Sequence, residues 1–254
     1  AGAETHTVVV DDDGRRAYAT NRTSATVSVL DLRSGETVTS FPVGPQPHGL
    51  ALDTRRGRLY VTSIGADRLE VYDLENYEQI GTVDVGDGPW GVDALGRWVV
   101  VADTGATTIH LIDAKDLTVR KVLEVGQGPW NVKIGSGDTL YATLERSGEV
   151  VAVNDEGVVL WRTSVGPAPH GLIVDEKRGV VMAAVTGADR IAIIDSRTGR
   201  VLQSLAVADA PAGLAYDAHT GTAYAGAQGA GVVETIAPVS PSDAHPRVSP
   251  SRER

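Results

Sequence analysis

Val43-Gly44-Pro45-Gln46-Pro47-His48-Gly49 returns as Val85-Gly86-Asp87-Gly88-Pro89-Trp90-Gly91, as Val125-Gly126-Gln127-Gly128-Pro129-Trp130-Asn131 and as Val165-Gly166-Pro167-Ala168-Pro169-His170-Gly171, with a weaker copy at Val207-Ala208-Asp209-Ala210-Pro211-Ala212-Gly213. The leading valines stand 42, 40, 40 and 42 residues apart. A fixed period of this length marks a repeat architecture, in which each unit buries its apolar face only against its neighbours.

The residues between the phrases repeat as well. A short apolar stretch comes first, such as Leu50-Ala51-Leu52 or Leu172-Ile173-Val174. An Asp-x-x-x-Gly turn follows at Asp53–Gly57, Asp175–Gly179 and Asp217–Gly221, where Asp accepts hydrogen bonds from its own downstream backbone and Gly supplies positive φ. A second strand such as Arg58-Leu59-Tyr60-Val61-Thr62, a polar loop, and a third strand ending in Asp (Leu69 to Asp73, Ile191 to Asp195) complete most of the unit. The alternation is that of strands, and no segment sustains helical periodicity. About four strands in about 40 residues, repeated, predict an all-β fold: a six-bladed β-propeller of four-stranded antiparallel blades. The first unit begins near His6, where His6-Thr7-Val8-Val9-Val10-Asp11 aligns with His48 to Asp53, and the sixth begins near Ala212. Residues 1–240 are read as one propeller domain and 241–254, rich in Pro and Ser, as a disordered tail. The fourth strand of the sixth unit is obscure. An edge strand near Arg247-Val248, or residues preceding Ala1, is expected to complete it.

At the end of the second strand the units read Tyr18-Ala19-Thr20-Asn21, Tyr60-Val61-Thr62-Ser63 and Tyr141-Ala142-Thr143-Leu144. Together with the Val-Gly-x-x-Pro-x-Gly phrase, this resembles the YVTN (YncE-like) family of bacterial β-propeller repeats over about residues 6–240. Blades 3 and 5 depart from the pattern, with Val100-Val101-Ala102-Asp103 and Met182-Ala183-Ala184-Val185. The resemblance implies the fold. It implies no single activity, because the family holds binding and surface proteins, and its wider relatives include lyases.

Bulk composition removes several functions. The chain has 254 residues, no cysteine and a formal net charge of −10. Disulfides, thiolate metal sites and Cys nucleophiles are absent, and no basic patch offers itself to nucleic acid. No apolar run is long enough for a membrane helix, so no membrane insertion is expected, and a monomer is expected. The compartment is left open, since cytoplasmic and exported proteins alike tolerate the lack of cysteine. The run Asp11-Asp12-Asp13-Gly14 reads as a solvated hairpin turn rather than a calcium loop, because the later ligand positions are lacking.

In a propeller the inner strand of each blade lines a central channel, and the residue before the last Gly of each phrase rings its mouth. That position reads His6, His48, Trp90, Trp130, His170 and Ala212. The loops between second and third strands lie on the same face and add Asn21, Asp103 and Glu145 as candidate ligand contacts. Asp67-Arg68 and Asp189-Arg190, at equivalent places, read as local pairs that brace their loops. Three readings of the rim stay open. The rings can simply pack the neck of the channel. Trp90 and Trp130 can wall a pocket for a small molecule or peptide, with the histidines as hydrogen-bonding groups. Or His6, His48 and His170 can converge on a divalent metal on the axis, with Asp103 and Glu145 orienting the imidazoles. The function expected first is ligand binding at this mouth. The alternatives are a metal-assisted lyase, hydrolase or cyclase with a rim histidine as general base, and a protein-interaction scaffold.

Overall fold

The structure is a computed structural model, and it describes Gly2 and residues 4–236. Six antiparallel meander sheets form the expected six-bladed propeller; five have four strands and the sixth has three among the described residues. The innermost strands are Thr5–Val10, Pro47–Asp53, Pro89–Leu95, Pro129–Ile134, Pro169–Asp175 and Pro211–Asp217. Each leads directly from one copy of the repeated phrase. Among the described residues, helix is confined to three single 3-10 turns at Ile64–Ala66, Ser136–Asp138 and Thr186–Ala188. The expected closing strand near Arg247-Val248 and the tail at 241–254 lie outside the described residues. No helix among the described residues is long and apolar enough to cross a membrane.

The second and third strands of blades 2 to 5 carry apolar residues on both faces because these sheets are covered from both sides. Among the described residues, five buried clusters result, and each is shared by consecutive blades. Val27 and Phe41 of blade 1 meet Leu50 and Val61 of blade 2; Leu69 and Val83 meet Val92 and Ile112. Ile109 and Leu123 meet Val132 and Leu140; Val150 and Trp161 meet Leu172 and Ile194; Met182 and Ile193 meet Ala223 and Ile236.

The Thr of the Tyr-x-Thr motif ties these faces together. The Thr62 hydroxyl accepts from the Gly49 N–H of its own blade at 2.7 Å and donates to the carbonyl of Trp90 in the next blade at 2.9 Å. Thr20 relays in the same way from Thr7 N–H to the His48 carbonyl, and Thr143 from Asn131 N–H to the His170 carbonyl. Blades 3 and 5 have Ala102 and Ala184 at this place, as their departure from the motif foretold. There the link moves two residues on: Thr104 donates to the Pro129 carbonyl at 2.7 Å and Thr186 to the Pro211 carbonyl at 2.6 Å. Blade 6 has Gly226, which pairs with Gly213 and carries no hydroxyl.

The Gly that ends the phrase follows from the same approach. A Cβ on Gly49 would strike the Trp90 carbonyl oxygen, and one on Gly91 or Gly171 would lie 2.7 or 2.6 Å from the carbonyl oxygen of Trp130 or Ala212. Any side chain there would push neighbouring inner strands apart.

Thr62 is fully buried, so Thr62→Val leaves one N–H and one C=O without partners. A loss of about 1–3 kcal/mol is expected, read by chemical denaturation, while Thr62→Ser retains most of the stability. Equal losses in the two variants would remove the relay from the account of the fold.

Candidate functional site

The phrase builds the channel mouth by its backbone. The residue before the Pro, or before its equivalent, takes a left-handed φ in all six copies: Glu4, Gln46, Gly88, Gly128, Ala168 and Ala210. The loop between second and third strands then docks on the turn. Ile64 and Gly65 donate to the carbonyls of Gln46 and Pro45, and Thr186 and Gly187 to those of Ala168 and Pro167. Both loops therefore share one face, as read from the sequence. Glu4 and Gly2 show that the first copy of the phrase begins at the head of the chain, which its divergent sequence hid.

The six rim positions converge around the axis. Ring centroids run His6–His48 3.7 Å, His48–Trp90 3.7 Å, Trp90–Trp130 4.2 Å and Trp130–His170 4.1 Å. Five rings thus form one continuous collar, interrupted only at Ala212. The collar lines a cavity of about 780 Å³ that continues down the channel past Asn131 and Lys133, with Gln228 of the blade 6 loop at its mouth. Buried ring nitrogens His48 Nδ1, Trp90 Nε1 and His170 Nε2 have no hydrogen-bond partner. His6 Nε2 and His48 Nε2 lie 3.0 Å apart, so one ring donates its hydrogen to the other.

The imidazoles are held neutral. Burial lowers His48 well below the ordinary histidine value, and the facing His6 lowers it further. His6, whose outer edge stays exposed, is lowered by partial burial and by the Arg22 charge. Burial also lowers His170, although Glu145 opposes this. The positive charge at the mouth belongs to Arg22 instead. Its guanidinium sits 5.9 Å from the Trp90 ring centroid, and no carboxylate lies within ion-pair distance of it among the described residues.

The other sequence-derived candidates have different places. Asn21 is fully buried; it accepts from Gly2 N–H and donates to Thr26 and Ser28. Asp103 is fully buried too; it holds Gly86 N–H, Thr108 and His110. Neither lines the cavity. Both carboxamide and carboxylate steady the phrase, as Glu70 does for Gly44 N–H and Glu234 for Ala208 N–H. Glu145 approaches His170 Nε2 at 3.6 Å, beyond hydrogen-bond length. Asp67 and Asp189 do not brace their own loops through the adjacent arginines; they accept from Gly88 and Ala210 N–H of the next phrase.

The metal reading does not fit this arrangement. His6 and His48 meet, but two indoles separate them from His170, and Asp103 is engaged with His110 away from the collar. Among the described residues no three His, Asp or Glu side chains gather around a common point. Sequence reasoning missed the Asp93–Lys133 pair, 3.1 Å apart on adjacent inner strands, with Lys133 in the channel wall. The available signal was two charges at inner-strand positions where other blades have Val9, Ala51 and Ile173.

Fold and site together define a six-bladed β-propeller whose channel mouth is a collar of imidazole and indole rings. Residues 1–98 match the YNCE-like beta-propeller family, in agreement with the resemblance carried by the repeat. No curated protein matches the sequence. Among solved structures, the chain is similar to Staphylococcus aureus virginiamycin B lyase, selenomethionine-substituted (14% identity, TM-score 0.75, covering 93% of this chain and 85% of that one). A catalytically inactive variant of that lyase with Quinupristin is similar too (15%, TM-score 0.77, 94% and 86%). So is Kuenenia stuttgartiensis hydrazine synthase (17%, TM-score 0.67, 92% and 95%). At these identities the likeness is one of fold.

The neutral imidazoles make stability depend on pH with a definite sign. The unfolded chain takes up protons on these rings near pH 6.5, and the folded chain only at lower pH. Stability is therefore expected to fall as pH drops below 6.5, by at most about 1.4 kcal/mol per pH unit for His48. Thermal unfolding between pH 7.5 and 5 checks this, with a shallower slope for His48→Gln. A His48→Gln slope equal to that of the wild type would contradict the burial argument.

Proposed function

We propose that the chain is a binding protein whose channel mouth takes a small planar ligand, or an aromatic side chain of a peptide, on the His/Trp collar. The carrying observation is the unbroken run of five rings beside a cavity of about 780 Å³, with three buried ring nitrogens unpartnered. Flat apolar walls with a few convergent polar atoms suit such a ligand, and buried polar atoms without partners are costly until something bonds to them. Arg22 beside Trp90 favours a ligand with an anionic group. With a net charge of −10 on the protein, nucleic acid is disfavoured.

A second reading, an enzyme, has one specific support. The His6–His48 pair shares a hydrogen and stays neutral, so it is competent as a general base. A chromatographic change in quinupristin on incubation, lost in His48→Asn, would favour it.

The binding reading is tested by titrating the protein with aromatic carboxylates, beginning with 4-methylbenzoate, and following tryptophan fluorescence. Trp90→Ala and Trp130→Ala are each expected to weaken binding about 5- to 10-fold, the scale of one aromatic pair. Absence of saturable binding, or binding indifferent to both substitutions, overturns the reading.

A further inference from the structure

Below the collar, blade 4 gives the cavity wall a carboxamide and an ammonium. The position after the rim residue reads Thr7, Gly49, Gly91, Asn131, Gly171 and Gly213 through the six blades. Two residues further on it reads Val9, Ala51, Asp93, Lys133, Ile173 and Ala215. The inner strand of blade 4 thus lines the cavity with Trp130, Asn131 and Lys133 in order of depth. Asn131 and Lys133 leave the same face of that strand, because they are two residues apart. Only the backbone N–H of Asn131 is engaged, by Thr143; its carboxamide has no hydrogen-bond partner among the described residues. Lys133 Nζ lies 3.1 Å from Asp93 Oδ1, and the other Asp93 oxygen accepts from Ile134 N–H at 2.9 Å. Asp93 itself stands outside the cavity wall. The pair is therefore held from behind and is neutral as a unit, yet the ammonium keeps hydrogens to spare.

The two cations near this cavity consequently favour different groups. Arg22, at the lip, has no carboxylate within ion-pair distance among the described residues, so an anion gains most there. At Lys133 a second anion would meet the like charge of Asp93. A neutral acceptor gains a charge-assisted hydrogen bond from Lys133 without that repulsion. Lys133 is three residues beyond Trp130, about 10 Å along a strand, so a molecule that uses both ends extends past a single ring. Resting on the collar as the ligand site, we infer that the ligand is an aromatic carboxylate with a neutral amide at its far end, bound with the carboxylate outward. Its anion lies beside Arg22 and its ring on Trp90 and Trp130. Lower in the channel its amide carbonyl accepts from Lys133, and its amide N–H donates to the Asn131 side-chain oxygen.

The test compares three benzoates of matched shape on the full chain, by calorimetry. 4-(2-carbamoylethyl)benzoate carries the amide, 4-(2-carboxyethyl)benzoate a second carboxylate, and 4-isopentylbenzoate neither. The amide is expected to bind about 10-fold more tightly than the other two, the scale of a hydrogen bond to a charged group. The ratio of amide to isopentyl affinity is read within each protein, so a uniform loss of binding does not enter it. Lys133→Met and Asn131→Ala are each expected to lower this ratio toward unity. Asn131→Ala leaves the Asp93–Lys133 pair in place, so it reads the site even where Lys133→Met fails to fold. If 4-methylbenzoate binds but the amide gains nothing over the isopentyl compound, the inference fails and the collar remains the ligand site. The same holds if the diacid matches the amide, or if neither variant lowers the ratio. If no benzoate binds, the collar reading fails and this inference fails with it.

Discussion

A threonine hydroxyl in blades 1, 2 and 4, accepting from its own inner strand and donating to the next, is the interaction on which the arrangement depends. It sets how closely neighbouring inner strands approach, and with them the carbonyls that carry the rim side chains. A hydrogen bond buried between two apolar faces cannot be exchanged for water, so its loss is felt in full. Blades 3 and 5 illustrate the constraint by their compensation. Where the relay position holds Ala102 or Ala184, Thr104 or Thr186 restores a bond between the same two blades, aimed one residue earlier.

The seams in turn decide the electrostatics of the mouth. Close approach packs His48 between His6 and Trp90, and a ring so enclosed loses water on both faces and sheds its proton. Four acidic side chains of the same face are spent on backbone N–H groups of the phrase: Glu70 on Gly44, Asp103 on Gly86, Asp67 on Gly88, Asp189 on Ala210. What is left facing the cavity is largely aromatic, with Arg22 as the cation at its lip.

Much of this was legible in the sequence. Five copies of one phrase, and turn chemistry at constant offsets, were enough for the blade count and for the rim position of each blade. The order His, His, Trp, Trp, His, Ala was readable because a single register position was being followed through the repeat. Less legible were Asn21 and Asp103, which stood out as loop polar residues without repeat partners. Whether such a group faces a ligand or a backbone N–H depends on the distance to Gly2 or Gly86 across the blade, and no spacing rule reports that distance.

The sequence by itself determined the period, the strands and the identity of the rim residues, because these follow from local alternation and turn geometry repeated in register. Only the tertiary structure decided that the five rings touch in a continuous collar, that His170 stands away from the other two imidazoles, and that Asn21 and Asp103 hold backbone N–H groups of the phrase rather than lining the cavity. These are properties of how sheets pack around an axis. Packing depends on the volumes of side chains brought together from different blades, which is why the contacts of His48 with His6 and Trp90 are not reported by any spacing in the repeat.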